Sequence, residues 1–312
     1  MKILIIGGSR FVVKELISQL LKKDYDITLA DSDGQKSKGY KFVKVNWAKE
    51  KSVTKLFRKQ FDFCINFGVK IGGISYFNKI PASILSDNNK IYSATFEAAV
   101  KGKIKRMVYI SSSMVYECTA KFPTKEEDMS STPVPISSYG FSKLIGEKYC
   151  VAFYKQFGLP YTICRLSNMY GVEEFPGEEA GSSHVIPDLI KKILKSDGEI
   201  EIMGDGQEIR TFTHVKDIAR GIIAVMESPN AENQEFNIST KESIKIIDLA
   251  KKIWKICKDK EKFNPKFVKG LDNNVKKRLL DVFKIEKEVG WKAEISLDEG
   301  LREVIEWMKT NL

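Results

Sequence analysis

The first half of the chain repeats a short apolar run followed by a segment with helical apolar spacing. Residues 3–6 form an apolar, largely β-branched run, Gly7 and Gly8 interrupt it, and apolar residues then recur at helical spacing from 11 to 21. Further strand-like runs lie at 26–30, 41–45, 63–67, 106–110 and 161–166, and helical segments lie at 94–101 and 139–157. Strands that alternate with helices predict an α/β fold with a doubly wound parallel sheet.

The turn after the first strand, GGSRFVV at 7–13, is similar to a phosphate-binding GxxGxxG turn of the Rossmann type in which two glycines are replaced. Gly7 keeps the tight turn, Arg10 stands where backbone approaches a pyrophosphate, and Val13 stands where helix and strand pack closely. An arginine can pair with phosphate, whereas we expect Val13 to push the helix away. By itself the turn fits either a dinucleotide site or a nucleotide-free strand-turn-helix unit.

The composition and the apolar pattern of the chain change after about Asn168. Loops rich in Gly and Glu there precede a helical segment at 185–194 and a mixed C-terminal third. We therefore predict a dinucleotide-binding Rossmann domain at 1–167 with return segments near 211–240. A smaller mixed lobe at 168–210 and 241–312 is predicted to bind the substrate.

Composition narrows the class of protein. The chain has 312 residues, of which 43% are apolar, enough for a real core. No apolar run approaches about eighteen residues and no charged-then-apolar leader is visible, so we expect a cytoplasmic protein with no membrane segment. The five cysteines are scattered and odd in number, and two histidines are present, which argues against disulfides and against a metal site.

The charge balance of 51 basic against 41 acidic residues gives a net charge of +10. Such a balance could indicate nucleic acid, but the lysines are spread along helical segments rather than gathered in a tail or stripe. We therefore predict a solvated, lysine-rich surface and no nucleic-acid partner. A basic protein also attracts small anions such as nucleotide sugars.

A hydroxyl-rich stretch and a Tyr–Lys pair carry the candidate chemistry. Ser111, Ser112 and Ser113 follow the strand-like run that ends at 110, and Tyr139 and Lys143 are four residues apart in a helical segment, so they share one helical face. A cation beside a phenol favours the phenolate. Ligands of such sheets lie outside the carboxyl ends of strands, where a serine hydroxyl can hold a substrate oxygen.

With these residues in place, the chain resembles the extended short-chain dehydrogenases that act on nucleotide sugars. The matching motifs, in order, are SSSMVY at 111–116, Tyr139 with Lys143, RLSNMYG at 165–171, GDGQEIRTFTHVKD at 204–217 and RLLDVFKIEKEVGW at 278–291. The resemblance implies that Tyr139 removes a hydroxyl proton while hydride passes to a nicotinamide. It further implies that Lys143 holds the nicotinamide ribose and that Ser112 hydrogen-bonds the reacting oxygen.

The resemblance also implies an NAD cofactor despite the altered turn. The residues expected to contact it, together with Lys143, are Gly7, Ser9, Arg10, Phe11, Val12 and Asp31. Asp31 ends the second strand, where an acid hydrogen-bonds the adenosine ribose and repels a 2′-phosphate, which favours NAD over NADP.

Met114 limits the sugar chemistry. Dehydratases of this family carry an acid pair where this chain has Ser113 and Met114, and the 3,5-epimerising members use a cysteine at Met114. A thioether cannot carry a proton, so chemistry at C4 remains. The segments at 69–74 and 182–192 resemble GDP-fucose synthase, and 86–99 resembles GDP-mannose 3,5-epimerase, which together indicate a GDP-sugar.

The residues that the resemblance places on the substrate are Gly73, Asn168, His184, Val185, Arg210 and Arg278. The two arginines would hold the nucleotide diphosphate as charge-assisted partners. Without a partner cysteine, His184 would position the substrate or be an ordinary surface histidine.

The resulting hypothesis is a 4-dehydrogenase of a GDP-linked manno-configured hexose or heptose, acting in the synthesis of surface polysaccharide sugars. A nucleotide-sugar 4-epimerase is the alternative, and a non-catalytic nucleotide-binding or nucleic-acid-binding relative is a second one.

A homodimer is expected as well, because relatives pair the helices that correspond to 89–101 and 139–157 in a four-helix bundle. The residues predicted to support this pairing are Ile91, Thr95, Ala98, Ala99, Ile145, Cys150, Ala152 and Phe153.

Overall fold

The computed structural model describes residues 1–8, 11–34, 38–47, 49–69, 79–177, 184–259, 261–270 and 275–312. Its strands are β1 Lys2–Ile6, β2 Asp26–Asp31, β3 Lys41–Lys44, β4 Phe63–Asn66, β5 Arg106–Ser112, β6 Tyr161–Leu166, β7 Asn168–Tyr170, β8 Ile200–Met203, β9 Ile209–His214, β10 Gln234–Ile238, β11 Ser243–Lys245, β12 Pro265–Val268 and β13 Lys277–Arg278. Seven of them form one parallel sheet in the order β10-β6-β5-β4-β1-β2-β3. This order confirms the predicted doubly wound Rossmann fold.

The helices are α1 Phe11–Leu21, α2 Glu50–Phe57, α3 Pro81–Lys101, α4 Ser138–Phe157, α5 Val185–Lys195, α6 Val215–Glu227, α7 Ile246–Lys258, α8 Phe283–Val289 and α9 Leu297–Asn311. Short 3₁₀ segments lie at Ser113–Tyr116, Glu126–Ser130 and Pro229–Ala231. Helices follow most of the parallel strands. They cover both faces of the sheet because the strand order reverses its direction at β1 while each crossover stays right-handed.

Two apolar layers hold the sheet. On one face, α1 and α6 pack fully buried side chains such as Leu16 and Ile222 against the strands. On the other face, α2, α3 and α4 contribute residues such as Leu56 and Phe96. Each fully buried side chain of this size contributes about 1.5–3 kcal/mol to the free energy of unfolding. The sheet is therefore a rigid platform, and its carboxyl edge presents the loops that carry the site.

A smaller mixed lobe lies beside this edge. β11, β9 and β13 form a sheet that β7 joins through β9, and β12 pairs with β8. α5, α7 and α9 close a separate apolar cluster over these strands, with Ile190, Trp254 and Leu301 at its centre. The proposed limits of the two domains, at 1–167 with 211–240 and at 168–210 with 241–312, agree with this arrangement only in outline and stay a prediction.

The sequence-based limits of the elements differ from the structure by more than one residue at two places. The strand predicted at 106–110 continues to Ser112, and the helix predicted from 94 begins at Pro81. Polar residues interrupt the apolar period in this first half of α3, and one of them, Asn88, is fully buried. Its amide donates to the Ser142 hydroxyl at 3.0 Å, so a tertiary hydrogen bond replaces the apolar contact that the pattern requires.

The residues expected to support a four-helix bundle divide into two groups. Thr95, Ala98, Ala99 and Cys150 are buried against the chain's own sheet, so that part of the expectation is wrong. Ile91, Ile145 and Phe153 are partly buried and Ala152 is exposed, so a partner surface on α3 and α4 stays a prediction. Among the described helices, none combines the length and apolarity needed to cross a membrane.

Candidate active site

The nucleotide turn connects β1 to α1 at the carboxyl edge of the sheet. Gly7 has a φ of +72°, and a Cβ on it would lie 2.8 Å from Gly68 Cα at the end of β4. The backbone therefore needs glycine both for its conformation and for this close approach. Phe11 and Val12 follow and line the cavity described below. Ser9 and Arg10 lie outside the described residues.

Asp31 ties the end of β2 to this turn. Its Oδ2 accepts a hydrogen bond from the Gly8 N–H at 2.9 Å, and its Oδ1 accepts one from the Ser32 N–H at 2.6 Å. These bonds hold a carboxylate beside a glycine turn whose backbone leaves no room for a side chain. A dinucleotide needs this combination of close backbone approach and a ribose-binding acid, so the residues present fit NAD.

Ser112 ends β5 and caps the 3₁₀ segment that follows. Its Oγ accepts a hydrogen bond from the Met114 N–H at 3.2 Å, which leaves the hydroxyl proton to donate into the cavity. The first turn of α4 packs against the same segment, since a Cβ on Gly140 would lie 2.7 Å from the Met114 carbonyl oxygen. This close approach brings Tyr139, which is 6% exposed, to the cavity beside Ser112.

Lys143 lies one turn after Tyr139 and is 2% exposed. Its Nζ donates to the Ile110 carbonyl oxygen at 2.6 Å and lies 6.0 Å from the centroid of the Tyr139 ring and 5.5 Å from that of Tyr109. A buried cation at this place stabilises negative charge on the neighbouring phenol. The structure thus brings the three predicted catalytic residues to one wall of the cavity.

A buried network that the sequence reasoning missed supports this wall. The Arg165 Nε and Nη2 donate to the two oxygens of Glu147 at 3.0 and 2.8 Å. The Ser111 hydroxyl donates to the same carboxylate at 2.6 Å. Because Ser111 precedes Ser112 in β5, the ion pair fixes the strand end that carries the predicted catalytic hydroxyl. The sequence feature that could have indicated this network is Glu147, an acidic residue one helical turn beyond Lys143 and on the same helical face.

The cavity has a volume of about 300 Å³ and extends from the nucleotide turn to the smaller lobe. The predicted substrate residues Asn168, His184, Val185, Arg210 and Arg278 all line it, whereas Gly73 lies outside the described residues. The Asn168 amide donates to the Thr211 carbonyl oxygen at 3.0 Å, which joins β7 to β9 at the junction of the two lobes. The cavity therefore reaches every described residue that the sequence assigned to substrate.

His184 is the N-cap of α5 and lines this cavity, and its Nδ1 contacts the Glu174 carboxylate. The Glu174 side chain is 9% exposed and that of His184 is 41% exposed. A carboxylate at Nδ1 holds the proton on that nitrogen and orients the ring.

Two cations share the far part of the cavity. Burial and the neighbouring Arg278 lower the pKa of Arg210, while burial lowers the pKa of Arg278 against the opposing effects of Glu117 and Tyr139. The Arg210 guanidinium donates to the Ile209 carbonyl oxygen at 2.9 Å and to that of Lys276 at 3.3 Å. These two bonds fix the orientation of the Arg210 side chain on β9. Two partly desolvated cations repel one another, and an anion between them removes that repulsion.

The wall next to Tyr139 is apolar. Met114, Val69 and Ile80 pack with the fully buried Ile84 around the phenol ring. The thioether of Met114 lines the cavity at the position where the resemblance places a proton-transferring residue in other members. It adds contact area there and transfers no proton.

Comparisons of the sequence and of the fold relate this chain to known proteins. Residues 3–239 match the model of the NAD dependent epimerase/dehydratase family. A Methanocaldococcus jannaschii protein provisionally named UDP-glucose 4-epimerase is 30% identical over 99% of both chains, and Escherichia coli GDP-L-fucose synthase is 29% identical over 78% of both. The crystal structure of a Thermotoga maritima UDP-glucose 4-epimerase with UDP-glucose superposes with a TM-score of 0.89 at 25% identity, covering 100% of this chain and 99% of that one.

Proposed function

Because this chain belongs to the NAD dependent epimerase/dehydratase family, we propose that it oxidises the C4 hydroxyl of a nucleotide sugar. Ser112, Tyr139 and Lys143 would carry that step. The observation that supports this proposal is their convergence on one cavity that begins at a glycine turn and ends at two arginines. A nicotinamide at the turn and a diphosphate at the arginines would place a sugar beside the Tyr139 phenol.

The proposed step follows from the properties of the three side chains. Tyr139 as phenolate removes the C4 hydroxyl proton, and the adjacent Lys143 cation stabilises the phenolate before the transfer. The Ser112 hydroxyl donates a hydrogen bond to the C4 oxygen as it becomes a carbonyl. NAD, when bound, supplies the acceptor for the hydride that leaves C4. The sugar loses one proton and one hydride, which completes a two-electron oxidation.

Met114 supports a reaction confined to C4. Dehydration and 3,5-epimerisation each need a proton carrier beside C5 or C3, and the thioether at this position cannot be one. The 4-keto sugar would therefore either be released or take the hydride back.

We propose 4-epimerisation as the first candidate for the net reaction. The M. jannaschii and T. maritima proteins named for UDP-glucose 4-epimerase each match this chain over 99% or more of its length. In such a reaction the 4-keto sugar turns and receives the same hydride on its other face, so no second substrate is needed.

Net dehydrogenation of a GDP-linked, manno-configured sugar is the second candidate. It is favoured by the likeness to GDP-L-fucose synthase over 78% of the chain and by the His184–Glu174 pair at the cavity rim. In this reaction the 4-keto sugar leaves and the reduced cofactor must be reoxidised by another acceptor.

One experiment separates the candidates. The purified protein is incubated with UDP- and GDP-linked hexoses that carry deuterium at C4, and the products are analysed by mass spectrometry and NMR while absorbance at 340 nm is followed. A 4-epimer that retains deuterium, with no accumulation of reduced cofactor, is the result expected for the first candidate. A 4-keto product with stoichiometric NADH identifies the second. Absence of C4 chemistry with every sugar contradicts the proposal.

A further inference from the structure

The helix that carries Tyr139 begins at an N-cap serine that is itself bound by a carboxylate from outside the helix. Ser137 is the N-cap of α4, and its Oγ accepts a hydrogen bond from the Gly140 N–H at 3.0 Å. An N-cap of this type satisfies one of the free N–H groups of a helix start. Tyr139 lies in the same first turn, so the cap also determines the position of the Tyr139 side chain.

Glu117 holds this cap from outside the helix. One carboxylate oxygen accepts the Ser137 N–H, and the other accepts the Ser137 hydroxyl at 2.6 Å. Glu117 directly follows the 3₁₀ segment that Ser112 caps. Glu117 and Ser137 are twenty positions apart in the chain. A single carboxylate therefore joins the end of β5, which carries Ser112, to the start of α4, which carries Tyr139.

The same bonds occur at the start of α9, where Glu299 accepts the Ser296 N–H at 3.0 Å and the Ser296 hydroxyl at 2.6 Å. There the carboxylate belongs to the capped helix itself, in a local capping box. A local capping box would have needed an acid three residues after Ser137, where α4 has Gly140. No side chain fits at Gly140, because a Cβ would approach the Met114 carbonyl oxygen to 2.7 Å.

The charge of Glu117 also acts on the site. It opposes the burial that lowers the pKa of Arg278, so the carboxylate lies within electrostatic reach of that guanidinium. A negative charge near a helix N-terminus is favourable as well. Glu117 thus connects the catalytic hydroxyl, the phenol and the substrate-facing cation.

We propose that Glu117 is a positioning residue that sets the distance between Ser112 and Tyr139 by clamping the N-cap of α4 to the end of β5. This inference rests on the proposed function, because it assigns these two residues to one reacting oxygen. Removing the clamp lets the first turn of α4 shift, and a shift of this kind reduces turnover without removing any group that binds the substrate.

The test compares Glu117→Ala and Glu117→Gln with Glu299→Ala, which removes the same two bonds from a helix that carries no catalytic residue. We expect kcat to fall about tenfold to a hundredfold in Glu117→Ala, with KM within about threefold. Glu117→Gln keeps an acceptor oxygen and should lie between Glu117→Ala and the unaltered protein. The isotope effect of C4-deuterated substrate should rise, because hydride transfer becomes slower than product release.

Hydrogen exchange supplies a measurement that does not depend on turnover. Amides 138–141 should exchange faster in Glu117→Ala than in the unaltered protein or in Glu299→Ala. Unchanged exchange, turnover of Glu117→Ala within twofold of the unaltered protein, or an equal loss in Glu299→Ala would each overturn the clamp. If Glu117→Ala does not fold, Glu117→Gln decides by the same criteria. If the unaltered protein performs no C4 chemistry, the proposed function fails, and exchange alone decides whether the clamp exists.

Discussion

Val13 occupies the space that a side chain on Gly8 would need. A Cβ on Gly8 would lie 2.2 Å from Val13 Cγ2 and 2.9 Å from Val13 Cβ, and Gly8 has a φ of +118°, where L side chains rarely occur. The Rossmann turn usually obtains close helix packing from a glycine at the position of Val13. Here the glycine lies five residues earlier, and the helix keeps a fully buried valine.

This relationship predicts a coupling between the two positions. Gly8→Ala should lower the free energy of unfolding by about 1–3 kcal/mol through backbone strain alone, and more through the clash with Val13. Adding Val13→Ala should recover the part of the loss that is due to the clash with Val13 Cγ2, whereas the close contact with Val13 Cβ stays. Urea unfolding of the four proteins of this cycle measures the coupling. Leu20→Ala, an equally buried change on α1, is the control, and its loss of stability should simply add to that of Gly8→Ala. If the losses of Gly8→Ala and Val13→Ala are additive as well, the expected coupling between Gly8 and Val13 does not exist.

Tyr139→Phe should lower kcat by roughly two to four orders of magnitude, the range for a positioned acid or base. The ring keeps its contacts with Ile84 and Met114, so binding of NAD and of nucleotide sugar should change little. Single-turnover kinetics with calorimetric binding curves separate the two effects. Retention of most of the activity would remove Tyr139 from the proposed mechanism.

Asp31→Ala should narrow the preference for NAD over NADP. The substitution removes a carboxylate that would bind the ribose hydroxyls and repel a 2′-phosphate. The ratio of kcat/KM for the two cofactors is the measurement, and Asp33→Ala, two residues further on, is the control. An unaltered protein that already prefers NADP would show that the role given to Asp31 is wrong.

Arg278→Gln should weaken the binding of UDP or GDP about tenfold or more, because a charge-assisted hydrogen bond contributes about 1.5–3 kcal/mol. The same change removes one of two neighbouring cations, so the free protein should not become less stable. Calorimetry with the nucleoside diphosphates and urea unfolding measure the two effects. Lys277→Gln is the matched control, since Lys277 faces the Phe122 ring at 5.1 Å. Equal binding by both variants would contradict a diphosphate site.

The outer face of α4 should pair with a second copy of the chain. Phe141 is 37% exposed, and Ile145, Ala152 and Phe153 continue the surface along the helix. Light scattering at micromolar concentration should give a mass near twice 35.5 kDa. Ala152→Glu should reduce that mass to the monomer's, because a carboxylate would be buried in the interface, whereas Thr310→Glu on α9 should not. A monomeric unaltered protein would contradict the pairing.

The sequence by itself determined the alternation of strands and helices and the spacing of Tyr139 and Lys143. Both are local properties, since a buried parallel strand is an apolar run and a helical face repeats every three or four residues. The choice of Ser112 as the predicted catalytic hydroxyl came from the family resemblance of SSSMVY at 111–116. The apolar run alone was predicted to end at 110 and did not distinguish Ser111, Ser112 and Ser113.

Only the tertiary structure decided what these residues touch. The Glu117–Ser137 bonds, the Glu147–Arg165 pair and the shared cavity of Arg210 with Arg278 each join segments from different elements. Periodicity carries no information about which segments meet, because that depends on the order of strands in the sheet and on burial from both sides. The Val13–Gly8 contact spans only five residues, yet it depends on a left-handed backbone at Gly8 that the turn acquires when β1, β4 and α1 pack together.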